Sequence, residues 1–136
     1  MEQTIPRLVQ AAAEQFGERS AVEDGDVQLS FAELADAGIQ AARAFCATGV
    51  EPGDRVAIWA PNFFEWIVAA IGLQSAGAVL VTLNTRLKGA EAAYVLQKSG
   101  TRILCTVSDF LGVNSVETIR AQELPALERV IVLRGS

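Results

Sequence analysis

The chain has 136 residues, 51% of them apolar, and a net charge of −5 from 11 basic and 16 acidic side chains. That length suffices for one buried core, and the scattered basic residues form no stripe that would displace phosphate counterions from a nucleic acid. The absence of histidine removes Ser-His-Asp and Cys-His nucleophile chemistry and most zinc sites.

Mean hydropathy is +0.30, high for a small domain, which implies apolar surface that something else covers. The longest apolar stretch, Phe63 to Leu83, is broken by Glu65, Gln74, Ser75 and Gly77, too short a run to cross a bilayer. No basic segment leads into an apolar one at the N-terminus. A cytoplasmic protein without a transmembrane segment is expected. Cys46 and Cys105 lie in apolar settings, which predicts two buried free thiols rather than a disulfide or metal pair.

Thr4 opens the first predicted helix, whose apolar positions Ile5, Leu8, Val9, Ala12, Ala13 and Phe16 form one inward stripe. Gly17 ends it. Ala21 to Glu23 and Val27 to Leu29 flank Asp24-Gly25-Asp26, a short hairpin signal. Ser30 and Glu33 make a capping box, with Leu29 and Leu34 placed as a staple. The helix that follows turns Leu34, Gly38, Ala41, Ala42 and Phe45 inward and stops near Gly49.

Pro52-Gly53-Asp54 turns into a strand from Arg55 to Trp59, apolar on both sides as a central parallel strand is. Asn62 is expected to cap the next helix, apolar nearly all round and closed by Gly77. Ala78 to Thr82 is a strand, and Gly89 to Ser99 a helix with Tyr94 and Leu96 on its buried side, ended by Gly100. Arg102 to Val107 is a strand, residues 108–128 hold short helices, and Arg129 to Leu133 is a last strand. Strands alternating with helices specify an α/β fold with a doubly wound, mostly parallel sheet, flanking helices and an N-terminal hairpin.

Four constellations are candidates for chemistry. Gly49 to Arg55 reads as a helix end and a turn, with Asp54 and Arg55 able to pair. Trp59-Ala60-Pro61-Asn62 lies at the carboxyl end of a strand, where open α/β sheets bind ligands. Neither a GxGxxG nor a GxxxxGK[ST] pattern occurs in the chain, so Asn62 reads as a cap before it reads as a contact. Arg86 and Lys88 follow the next strand, where phosphates are commonly received, and on residue type alone both are solvated surface cations. Glu14, Glu18, Glu23, Asp24, Asp26, Glu33 and Asp36 read as solvated carboxylates.

In order, Ser30-Phe31-Ala32-Glu33-Leu34, Gly49 to Ile58, Pro61-Asn62, Glu65-Trp66, Ala76-Gly77-Ala78-Val79, Leu83-Asn84-Thr85-Arg86-Leu87-Lys88, Glu91 to Leu96 and Ser99-Gly100 form a series. It resembles the N-terminal part of bacterial acyl-CoA synthetases and AMP-dependent ligases, from Thr4 to about Leu133. Many relatives have proline where Thr82 stands. The resemblance implies a parent ligase that uses ATP, Mg2+ and coenzyme A to join a carboxylic acid to CoA through an acyl-AMP. Residues 1–136 would be the N-terminal subdomain of the larger domain, incomplete, inactive alone and not expected to bind any of these cofactors well by itself, because the family's phosphate loop and C-terminal lysine domain are not among them. No catalytic residue and no metal ligand is expected here. One contact carries over from similar ligases: Arg86, toward the nucleotide phosphates of CoA. Fatty, aromatic and steroid-derived acids all remain open as substrates. The alternative is a non-catalytic module that self-associates or binds a partner through an exposed apolar face anchored by Phe63, Phe64 and Trp66. A flavodoxin-like nucleotide domain is the third option.

Overall fold

The computed structural model describes residues 3–135, which form two compact units. The first comprises residues up to Pro52 together with Phe63–Ala78, and the second Gly53–Asn62 together with the residues after Ala78.

In the first unit, α1 (Ile5–Phe16) begins where the Thr4 hydroxyl accepts from the Arg7 amide at 3.4 Å, and ends at Gly17, φ +47. Its stripe departs from expectation. Val9, Ala12, Ala13 and Phe16 are half-buried, Phe16 against the Phe31 ring at 5.2 Å, whereas Ile5 and Leu8 are 49% and 48% exposed. The apolar period therefore marks a face wider than the surface that covers it.

β1 (Ser20–Asp24) and β2 (Val27–Ser30) form the antiparallel hairpin, turned by Gly25 at φ +55. Ser30 then starts α2 (Phe31–Ala47) with both halves of the capping box: its hydroxyl accepts from the Glu33 amide at 3.1 Å, and Glu33 accepts from the Ser30 amide at 3.0 Å. Leu34, Ala35, Gly38 and Phe45 are buried.

The start of α3 (Phe64–Ser75) corrects the sequence reading. Asn62 does not cap it. Phe63 occupies the cap position without a side-chain bond, and the Phe64 amide donates instead to the Asp24 carboxylate, 2.9 Å away at the end of β1. Asp24 is thus a long-range cap rather than a solvated turn residue; a carboxylate at a helix N-terminus satisfies an orphan donor and meets the positive end of the dipole. Phe63 is buried and Phe64 and Trp66 are half-buried, so the expected anchors of an exposed patch are largely covered. α2 and α3 approach closely through Gly38 against Ile71 and Gly72 against Ala41.

The second unit is a four-stranded, wholly parallel sheet in the order β4-β3-β5-β6, built from β3 (Arg55–Trp59), β4 (Val79–Thr82), β5 (Ile103–Val107) and β6 (Arg129–Arg134). β5 is buried along its length and β3 beyond Arg55. α4 (Gly89–Ser99) and α5 (Ser115–Arg120) belong to this unit, and a core of Ala57, Trp59, Leu83, Ala92, Leu96, Leu104 and Ile119 forms within it. Leu96 is buried as expected, but Tyr94 is 61% exposed. Tyr94 precedes Leu96 by two residues, about 200° around a helix, so the two cannot share one narrow stripe.

At the opposite edge from the strands' carboxyl ends, Asp54 pairs with Arg102 rather than with its neighbour Arg55, and Arg102 also donates to Glu128 at 2.7 and 3.0 Å. Arg55 is the first residue of β3, and adjacent strand residues point to opposite faces.

The cysteines divide. Cys105 is buried in β5, and Cys46 on α2 is exposed, against expectation. Burial pushes the Cys105 thiol up to about 12, from 9.0 for the free group. As pH rises past 9 the unfolded chain loses this proton while the folded chain keeps it, so the contribution to stability is full below pH 9 and drains away towards pH 12. We expect one fast thiol per chain with a disulfide reagent at neutral pH, abolished in Cys46→Ala. The stability gap between the parent and Cys105→Ala should narrow from pH 9 upward. Two fast thiols in the folded protein would contradict the burial.

Candidate functional site

The strand order runs outward on one side from β3 to β4 and on the other from β5 to β6. The two directions of winding part between β3 and β5, and open α/β sheets bind ligands at the carboxyl edge of such a switch point. A cavity of about 620 Å³ lies there, within the second unit. Trp59 and Val107, the last residues of β3 and β5, line it, as do Arg86 to Gly89 and the segment that leads into α5.

Four hydrogen bonds hold the segments around the cavity. Trp59 donates its indole N–H to the Asn84 carbonyl at 3.0 Å, and its own carbonyl accepts from the Thr106 hydroxyl at 2.7 Å. Both ends of Trp59 are thereby held, one to the loop after β4 and one to β5. The Asn84 side chain accepts from the Arg86 amide at 2.9 Å, and the Asn84 carbonyl also accepts from the Leu87 amide at 3.1 Å. The Asx turn shapes the loop and leaves the Arg86 side chain exposed at the rim. Lys88 stands at the cap of α4, where its amide donates to Glu91 at 3.0 Å. Gly89 allows α4 to begin close to α5: a Cβ there would lie 2.8 Å from Thr118 Cγ2.

Arg86 and Lys88 therefore lie together on one cavity with mostly apolar walls, and no carboxylate is found among the described lining residues. Such a lining suits an anionic group joined to an apolar body. Asn62 does not line it, although Trp59, Ala60 and Pro61 do. The carboxylates singled out in the sequence do not converge: Glu33 caps α2, Asp24 caps α3, and Glu23 accepts from Ser20 and Gln28 on the hairpin. Among the described residues no three His, Cys, Asp or Glu side chains are grouped to hold a metal ion, and no helix is long and apolar enough to cross a membrane.

Sequence reasoning missed the far wall, made by Phe110, Leu111 and Val113 together with Ser115 and Thr118 of α5. Two signals were present. Leu111-Gly112 is a two-residue turn between apolar flanks, and Asn114 lies three residues before Glu117, whose amide donates to the Asn114 side chain at 3.2 Å.

Fold and site together define an open α/β protein with a cation-bearing cleft at its switch point. The chain belongs to the AMP-binding enzyme family, which matches residues 9–135. It is similar to a 3-(7a-methyl-1,5-dioxo-octahydroinden-4-yl)propanoyl:CoA ligase of Rhodococcus jostii, with 41% identity over 136 residues, 97% of this chain and 26% of that protein. A ligase of the same name from Mycobacterium tuberculosis is 38% identical over 94% of this chain and 25% of its own length. The chain thus spans about a quarter of these curated relatives. Among solved structures, the N-terminal domain of FACL13 from Mycobacterium tuberculosis superposes with a TM-score of 0.88 at 26% identity, covering 96% of this chain and 34% of that one.

Proposed function

We propose that residues 1–136 are the N-terminal subdomain of a longer AMP-forming acyl-CoA ligase working in the cytoplasm. In that reaction the carboxylate oxygen of the acid attacks the α-phosphorus of ATP and pyrophosphate leaves. The CoA sulfur then attacks the acyl carbon and AMP leaves. The observation that carries this reading is the family match over residues 9–135, joined to a cavity at the switch point that bears two cations. Arg86, exposed on that cavity, is the residue we assign to the nucleotide phosphates of CoA, because a guanidinium offers paired donors to phosphate oxygens.

ATP and magnesium fit these residues less well. No phosphate-loop pattern occurs in the sequence, and the described residues gather no carboxylate cluster. Both would be held by other parts of the parent, and residues 1–136 are assigned no step through them. For the acid we propose a propanoate carried on a fused alicyclic ring system, by analogy with the relatives' names.

The test is thioester formation by the full-length parent with ATP, Mg2+ and CoA, comparing that acid with a medium-chain fatty acid. Product from the ring-bearing acid in preference is expected, with none from the 136-residue chain alone. Neither an acyl-CoA thioester nor released AMP from the parent with either acid would overturn the ligase reading, and product from the short chain would overturn the subdomain assignment. A second reading, self-association, is favoured by the exposure of Ile5 and Leu8 on α1. Light scattering after size exclusion tests it, and a monomer dismisses it.

A further inference from the structure

Between β5 and α5 the chain makes a narrow hairpin. The Phe110 amide donates to the Val113 carbonyl and the Val113 amide to the Phe110 carbonyl, both at 3.0 Å. The two residues at its tip, Leu111 and Gly112, have φ of +52 and +77. This pair of positive φ values belongs to a tight hairpin turn in which Asn, Asp or Gly sits without strain. A leucine there is strained, since its Cβ crowds the backbone in the left-handed region. Nor is the strain offset by packing: Leu111 is 86% exposed, the most exposed large apolar side chain among the described residues. Yet Leu111 lines the same cavity as Arg86 and Lys88. A strained backbone that holds an apolar side chain in water at the rim of a binding cavity points to a role that begins when the cavity fills.

We propose that Leu111 closes over the nucleobase of the nucleotide whose phosphate Arg86 receives, and so selects a ligand with a flat apolar ring over one with phosphate alone. This rests on the assignment of Arg86 to the CoA nucleotide phosphates. The apolar walls supply contact area for a base, and the two cations hold the anionic end.

The test titrates the full-length parent by calorimetry with adenosine 3′,5′-bisphosphate and, separately, with ribose 5-phosphate, which has no base. Leu111→Gly should weaken adenosine bisphosphate binding about fivefold to tenfold, the scale of one lost apolar contact surface, and leave ribose phosphate unchanged. The same variant should raise Tm, because glycine accepts φ +52 freely; a purely structural turn residue would gain stability and leave binding alone. Arg86→Ala should weaken both ligands. If Arg86→Ala weakens both and Leu111→Gly changes neither, the Leu111 role is overturned and the Arg86 assignment stands. If Arg86→Ala leaves both unchanged, or neither ligand binds the full-length parent, the Arg86 assignment and the Leu111 role fall together.

Discussion

Gly72→Ala is expected to lower the Tm of this chain by about 6–8 °C, equivalent to a loss of about 2 kcal/mol. Gly72 lies in α3, where a Cβ would sit 2.5 Å from Ala41 Cβ and 3.1 Å from both the Ala41 carbonyl carbon and the Ala42 amide nitrogen of α2. Two of those three atoms are backbone, so relief requires α2 and α3 to move apart. That separation would loosen Ala69 to Leu73, all buried on α3. Alanine regains about 1 kcal/mol of helix propensity over glycine, which limits the loss without reversing it. Gly38→Ala is the control: its Cβ would meet Ile71 Cγ2 at 2.6 Å, a side-chain methyl that a rotamer change moves away. A smaller drop is expected there. Melting curves followed by circular dichroism decide the matter; a Gly72→Ala protein as stable as its parent would mean that the two helices are not held at this spacing.

Arg86→Ala in the full-length parent is expected to raise the KM for CoA about tenfold to a hundredfold, the range of one lost charge-assisted hydrogen bond of about 1.5–3 kcal/mol. Acyl-AMP formation, followed by pyrophosphate exchange, should stay at the parental rate, because Arg86 is assigned to the CoA phosphates and not to ATP. Arg86→Lys should fall between, since an ammonium keeps the charge but not the planar fork. The exposed position of Arg86 adds a second signature: the difference between parent and Arg86→Ala should shrink as ionic strength rises. An unchanged CoA dependence would remove Arg86 from the CoA site.

Element types and most boundaries followed from local chemistry. The Ser30–Glu33 box, the alternation of strand and helix, the glycines at 17, 77 and 100, and the uninterrupted apolar run of β3 all act over a few residues, and each reappears in place. The order of these individually weak motifs carried the family, which the match over residues 9–135 bears out. Partners distant in sequence were not visible in this way. Asn62 matched the cap pattern as well as any residue could, but the Phe64 amide found Asp24, forty residues earlier. Asp54 had a cation beside it and paired with one 48 residues away.

The candidate site divides along the same line. Arg86 stood out as a cation after a strand, a local property. Its company in one cavity with Trp59, Leu111 and Thr118 arises only when parallel strands bring their carboxyl ends to one edge, and parallel pairing joins segments that the chain separates by a helix or more. Residue type and spacing alone determined the secondary structure, the fold class and the family of this protein. Which carboxylate caps a helix, which thiol is buried, how much of an apolar stripe is covered and which side chains share a cavity were decided by contacts between distant segments, because burial and hydrogen bonding depend on what folding brings within a few ångströms.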